Sequence, residues 1–105
     1  MAQLTNDAEK MLCSLYKVYL NRRRDGFSKS EAMEFEESYF HANEPFSKMD
    51  IDDVYDTMQE LYRHDYLFMD IAGNCELTSE AIAHLESRFK NGLVDVLSFL
   101  AHFIP

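Results

Sequence analysis

The stretch Met58-Gln59-Glu60-Leu61-Tyr62-Arg63-His64-Asp65-Tyr66-Leu67-Phe68-Met69-Asp70-Ile71-Ala72-Gly73-Asn74-Cys75-Glu76-Leu77-Thr78-Ser79 changes its period twice. Up to Arg63 the apolar residues recur three and four apart, the spacing of a helix. With the residues upstream, Ile51, Val54, Tyr55, Met58, Leu61 and Tyr62 share one arc of about 120°. Asp50 is the expected cap, and Asp52 and Asp53 suit the positive end of the helix dipole. The helix should end at His64 or Asp65. From Tyr66 to Ile71 the residues are aromatic and apolar, which predicts a strand. Ala72-Gly73-Asn74 is a turn signal, and Cys75-Glu76-Leu77 reads as the returning strand. Thr78 or Ser79 then caps a helix whose stripe is Ile82, Leu85 and Phe89.

Working toward the amino terminus, residues 38–49 form a long connection broken at Asn43-Glu44-Pro45, because proline disfavours helix in the residue before it. Before it, Ser28 and Glu31 form a capping box, with Phe27 placed to staple onto Ala32. The helix they start has an unclear end between Glu37 and His41. The first helix covers residues 8–24, with Asn6 and Glu9 resembling a capping box. Ala8, Met11, Leu12, Leu15, Val18 and Tyr19 form its apolar arc, and Cys13 and Ser14 fall outside it. Gly26 is the expected stop. Toward the carboxyl terminus, Asn91-Gly92 ends the fourth helix and residues 93–104 form a fifth.

The expected order is therefore three helices, a two-stranded hairpin and two more helices. The residues from Met58 to Leu67, followed by Cys75-Glu76-Leu77-Thr78-Ser79-Glu80-Ala81, resemble the recognition helix, wing strand and strand-to-helix ending of winged-helix proteins. The likeness is to small bacterial and phage regulators of the multiple-antibiotic-resistance and phenolic-acid-repressor types, over roughly residues 8–90. It implies a mainly α winged helix, with residues 1–90 as the winged-helix-like domain. Residues 91–105 would be an apolar helix of the same domain. It also implies DNA binding through the helix at 51–64, and dimerisation through terminal helices. The chain departs from the pattern in three places. Residues 38–49 have no place in a tight helix-turn-helix, His64-Asp65 stands where a glycine is usual, and the wing tip carries no Arg or Lys.

Composition narrows the classes of function. The chain has 105 residues, with 47% apolar and 28% charged side chains. That suits one domain that folds without disulfide or metal. The amino terminus has no apolar signal-peptide core, so a cytoplasmic protein is expected. The longest apolar run, residues 93–104, is too short to span a bilayer. Cys13 and Cys75 lie far apart and are expected to be buried, unpaired thiols. There is no P-loop, GxGxxG, GxSxG or HExxH, and Asp50, Asp52, Asp53 and Asp56 lack calcium-loop spacing. We therefore assign no catalytic residue, no cofactor and no metal ligand.

The net charge of −9 is unevenly placed. Residues 1–26 carry +2, residues 27–65 carry −8 and residues 66–105 carry −3. Asp52, Asp53, Asp56 and Glu60 give the helix at 51–64 an acidic outer face. Duplex DNA carries about one negative charge per ~1.7 Å of its axis, so that face would be repelled by a groove. It suits a basic protein partner instead, and the same surface repels anionic membrane. Arg22, Arg23 and Arg24, supported by Lys29, are the candidate phosphate contacts if DNA is bound. Residues 93–104 show an apolar arc of about 220°, wider than one surface helix needs. Phe99, Phe103, Val96 and Leu100 are the expected homodimer interface, with Leu93 and Leu97 facing the core. The sequence thus favours a non-catalytic acidic winged-helix module that binds proteins and itself. The alternative is a DNA-binding regulator.

Overall fold

The structure is a computed structural model, and it describes residues 3–102. Helix α1 (Asn6–Arg24) runs through the middle and packs against α2 (Lys29–Met33), α4 (Ile51–Arg63), α5 (Ser79–Arg88) and α6 (Leu93–Ala101). Between α2 and α4 lie a two-residue strand β1 (Glu34–Phe35), a short helix α3 (Glu37–Ala42) and a 3-10 turn (Phe46–Lys48). Strands β2 (Leu67–Met69) and β3 (Cys75–Leu77) complete a small antiparallel sheet in the order β1-β3-β2. The protein is mainly helical, but the expected two-stranded hairpin is a three-stranded sheet. The extra strand pairs Phe35 with Cys75 and Glu34 with Glu76, across some forty residues of sequence. Local pattern cannot reveal so short a strand, because only the partner defines it.

The helix ends follow side-chain chemistry. Asp50 accepts from the Asp52 N–H, and the Ser28–Glu31 capping box is closed in both directions. At α1 the cap is Thr5, not Asn6: its hydroxyl accepts from the Ala8 N–H and Asn6 is already helical. Helix α1 ends in a Schellman turn, with Gly26 at φ +97° and the Phe27 N–H donating to the Arg22 carbonyl. The same turn ends α4, with the Tyr66 N–H donating to Leu61 and the Asp65 N–H to Tyr62. Asp65 holds the left-handed position at φ 63°, where the sequence lacks the usual glycine. Its carbonyl is fixed by the Thr78 hydroxyl at 2.6 Å.

Helix α1 is buried on more sides than its apolar arc predicts. Cys13 and Ser14, outside that arc, are buried, while Val18 is only partly so. Helix α1 has neighbours in α2, α4, α5 and α6, more than a single apolar arc would serve. The expected phase of α6 is also reversed. Val96 is completely buried, and Phe99 and Leu100 pack against the core. The Phe99 ring lies 5.8 Å from the Phe89 ring and 4.5 Å below the Arg88 guanidinium. Arg88 in turn pairs with Glu9 of α1. Val96 is therefore not available as a dimer interface, and Phe99 and Leu100 keep only part of their surface exposed. Leu97, expected inside, is half-exposed, and Val94 lies outside with it. Phe103 lies outside the described residues.

Leu61 of α4 and Leu85 of α5 both lie fully buried in the same core, joined through α1. Leu61→Ala should lower the unfolding free energy by roughly 2–5 kcal/mol, as for other buried leucines. Urea unfolding measures it, and an unchanged midpoint would mean that Leu61 is not in the core.

Candidate functional site

Helix α4 buries Val54, Thr57, Met58 and Leu61. That face is rotated from the apolar arc read in the sequence, because Thr57 goes inside. Its hydroxyl can do so because it donates to the Asp53 carbonyl at 2.8 Å. The far edge of the arc is left in water: Ile51, Tyr55 and Tyr62 each keep about half of their surface exposed. Beside them stands the hairpin turn, where Ile71 is fully exposed.

The position of that turn is set by one residue. Asn74 accepts the Glu37 N–H on its side-chain oxygen at 2.8 Å, capping α3 from 37 residues away. The nominal cap residue of α3, Glu36, makes no such bond. The amide nitrogen of Asn74 donates to the Asp70 carboxylate at 3.1 Å, and the Asn74 and Ala72 N–H groups also donate to Asp70. Gly73 stands at φ +92°, and a Cβ there would lie 2.9 Å from Glu37 Cγ. Glycine is needed both for the backbone and for this close approach.

Turn and helix enclose a groove. Its first depression, about 310 Å³, lies among Phe40, Ile51, Val54, Tyr55, Met58 and Ile71, with Glu37 and His41 at one end. His41 Nε2 lies 2.6 Å from the Glu37 carboxylate. The second, about 400 Å³, continues along Tyr55, Gln59, Tyr62, Met69 and Ile71 toward Asp70 and Arg63. Tyr55 and Ile71 belong to both. Asp52 and Asp56 follow on the helix surface next to Tyr55 and Gln59. A further depression on the outer face of the sheet is bordered by Glu34, Glu36, Asp70 and Glu76 around Phe68.

The charged residues singled out in the sequence divide differently. Asp52, Asp53 and Asp56 are exposed, but Glu60 is not part of an open acidic face. Its carboxylate accepts both the N–H and the hydroxyl of Thr5 at 2.8 Å, fastening α4 to the start of α1. Asp53, one helical line from Glu60, lies toward that same side, away from the groove. Arg22 is likewise removed from the candidate phosphate contacts. It donates to the Glu34 carbonyl at 2.6 Å and stacks over Phe35 at 4.5 Å and Tyr39 at 5.7 Å. Arg23, Arg24 and Lys29 stay exposed, with Arg23 donating to the Phe27 carbonyl and Arg24 to the Asn21 side chain.

Cys13 and Cys75 are free and buried, and burial pushes both thiols up to about 12. Neither is a nucleophile at neutral pH. No three metal-ligating side chains come together among the described residues, and none of the described helices is long and apolar enough to cross a membrane. The groove, with Ile71 and Asn74, is what the sequence reading missed. The only sign of it was Gly73-Asn74, read as a generic turn. Comparison with protein-family models, with curated proteins and with solved structures finds no match for this chain.

The turn makes a pH-dependent contribution. The Asn74 side-chain bond, then the backbone N–H groups, hold the Asp70 carboxyl below the usual carboxylate range. Folding thus favours the ionised form. Its contribution is present above the free aspartate value of about 3.9 and is lost as pH falls through the lower folded value. Asp70→Asn should be less stable than the wild type at pH 7. Denaturant midpoints taken at successively lower pH should then converge, and a gap that stays constant would remove Asp70 from the acid dependence.

Proposed function

We propose that the chain is a non-catalytic interaction module that binds protein through the groove between α4 and the hairpin turn. One observation carries the reading. Tyr55, Tyr62, Ile51 and Ile71 each leave about half or more of their surface exposed along one groove, an apolar patch of the kind that marks interaction sites. Aromatic side chains in such a setting supply most of the binding energy in protein interfaces. The helix order and the β1-β3-β2 sheet are compatible with a winged helix in which α4 takes the recognition position. In that arrangement α4 would present Asp52, Asp56, Gln59 and Arg63, a face that suits a basic protein better than DNA. The two separate buried thiols suit the reducing cytoplasm.

A photo-crosslinking amino acid in place of Tyr62 should yield a discrete adduct in cells. The same group at Ser87, an exposed position outside the groove, should yield none. Ile71→Glu, exposed and so nearly neutral for stability, should abolish the adduct. Equal labelling at both positions would count against the groove.

Arg23, Arg24 and Lys29 remain on the surface and favour a second reading, DNA-binding regulation, in which they meet phosphate. Titration with mixed-sequence duplex at low and physiological salt separates the two. The protein-binding reading expects weak or no binding. Submicromolar affinity with a steep salt slope would establish the regulator.

A further inference from the structure

We infer that the groove receives a second copy of this chain, entering with the basic turn at the end of its α1. This rests on the reading of the groove as a binding surface and names what fills it.

The turn has the shape and charge of a plug. Phe27 keeps 47% of its surface in solvent, although its position suggested a staple onto Ala32. Arg23, Arg24 and Lys29 surround it, all exposed, while Asp25 and Glu31 are the acids nearby. The Glu31 carboxylate is held by the Ser28 N–H at 3.1 Å. The backbone is fixed by the Gly26 N–H on the Arg23 carbonyl, and by Arg23 Nη1 on the Phe27 carbonyl at 3.0 Å. Below, Arg22 ties the turn to the carbonyls of Ala32 and Glu34. Phe27 is thus carried on a rigid base, and docking it requires little ordering of the chain.

The groove is the complement. Its first depression is apolar and, at about 310 Å³, is of a size to take one aromatic ring. Its charged lining is Glu37 and Asp70 against Arg63 and His41, with His41 engaged by Glu37, and Asp52 and Asp56 lie exposed on the adjoining surface of α4. Arg23 and Arg24 of an incoming copy would face this acidic rim. The turn from Arg22 to Glu31 holds four basic side chains against two acidic ones, so a patch of net positive charge would meet that rim. None of residues 23–29 lines the groove of its own molecule, so plug and socket are separate patches. A contact between unlike patches is head-to-tail. The other large apolar side chains exposed among the described residues are Val94 and Leu97, with Asp95 beside them in sequence, and Phe68, bordered by Glu34, Glu36, Asp70 and Glu76, so acids rather than cations accompany them. One aromatic plug and a few ion pairs make a small interface, of the transient and salt-sensitive kind.

Sedimentation of the purified chain should show a weight-average mass above 12.3 kDa that rises with concentration at low salt and returns toward the monomer at high salt. Phe27→Glu and Tyr55→Lys should each remain folded, by circular dichroism and denaturant midpoint, and each should be monomeric. Mixed one to one, they should recover a pair with twice the mass of the single 12.3 kDa chain. The reason is that one variant keeps its socket and the other its plug. A wild type that stays monomeric at high micromolar concentration and low salt would overturn the proposal. So would either variant associating like the wild type, or a mixture of folded variants that stays monomeric. If the purified chain is monomeric but crosslinking at Tyr62 persists in cells, the groove stands as a binding surface for another protein and the copy-to-copy contact falls. If both fail, the groove reading falls as well.

Discussion

The burial of α1 on nearly every side is the constraint on which the rest of the fold depends. Leu12, Cys13 and Leu15 have no exposed surface, and Tyr16 has almost none. A helix surrounded in this way cannot be satisfied by one neighbour. Helices α4 and α6 pack along it, with α2 and α5 adding further cover. Each of these elements then has its inner face dictated by α1, and its outer face is what remains. The half-exposed stripe on α4 is such a remainder. Helix α4 turns Thr57 and Leu61 inward, and Tyr55 and Tyr62 are carried out to solvent.

Polar bonds close the two ends of this arrangement. At the start of α1, Thr5 caps its own helix and also donates twice to Glu60 of α4. At the other end, the Arg22 guanidinium lies over Phe35 and Tyr39 while donating to the carbonyl that leads into β1. The planar group serves as donor and as stacking surface together, which a lysine cannot do. Around it, Phe35, Tyr39, Phe40 and Phe46 meet with ring centroids 5.1–6.4 Å apart. This cluster gives the segment after α2 its place, although its sequence reads as an unassigned connection.

What was legible in the sequence was local. Asp50, Gly26 and the Ser28–Glu31 pair mark helix ends because capping is decided within a few residues. The change of period after Arg63 reveals the hairpin for the same reason. What was not legible depends on distant partners. Strand β1 exists through Cys75 and Glu76, and α3 is capped by Asn74. Glu60 and Arg22 resemble free surface charges until Thr5 and the Glu34 carbonyl are placed beside them. The phase of α6 was misread because its wide apolar arc fits several orientations. The contact of Arg88 with both Glu9 and Phe99 accompanies the one adopted. The acidic character of the α4 surface was visible, but its apolar groove was not, since exposure of Ile51, Tyr55 and Tyr62 follows from where α1 lies.

The two silent cysteines make the fold its own reporter. Both thiols are held up at about 12 by burial. Very little reactive thiolate is then present near neutral pH, and burial screens even that little from reagents. Alkylation therefore proceeds through openings of the structure. Cys13 lies in the central helix and Cys75 in the middle strand of the sheet. The ratio of their labelling rates compares, in one unmodified molecule, how often the helical core and the sheet come apart. A cysteine introduced at an exposed position would react on its own timescale, so a dye can be placed on the surface without removing either native thiol.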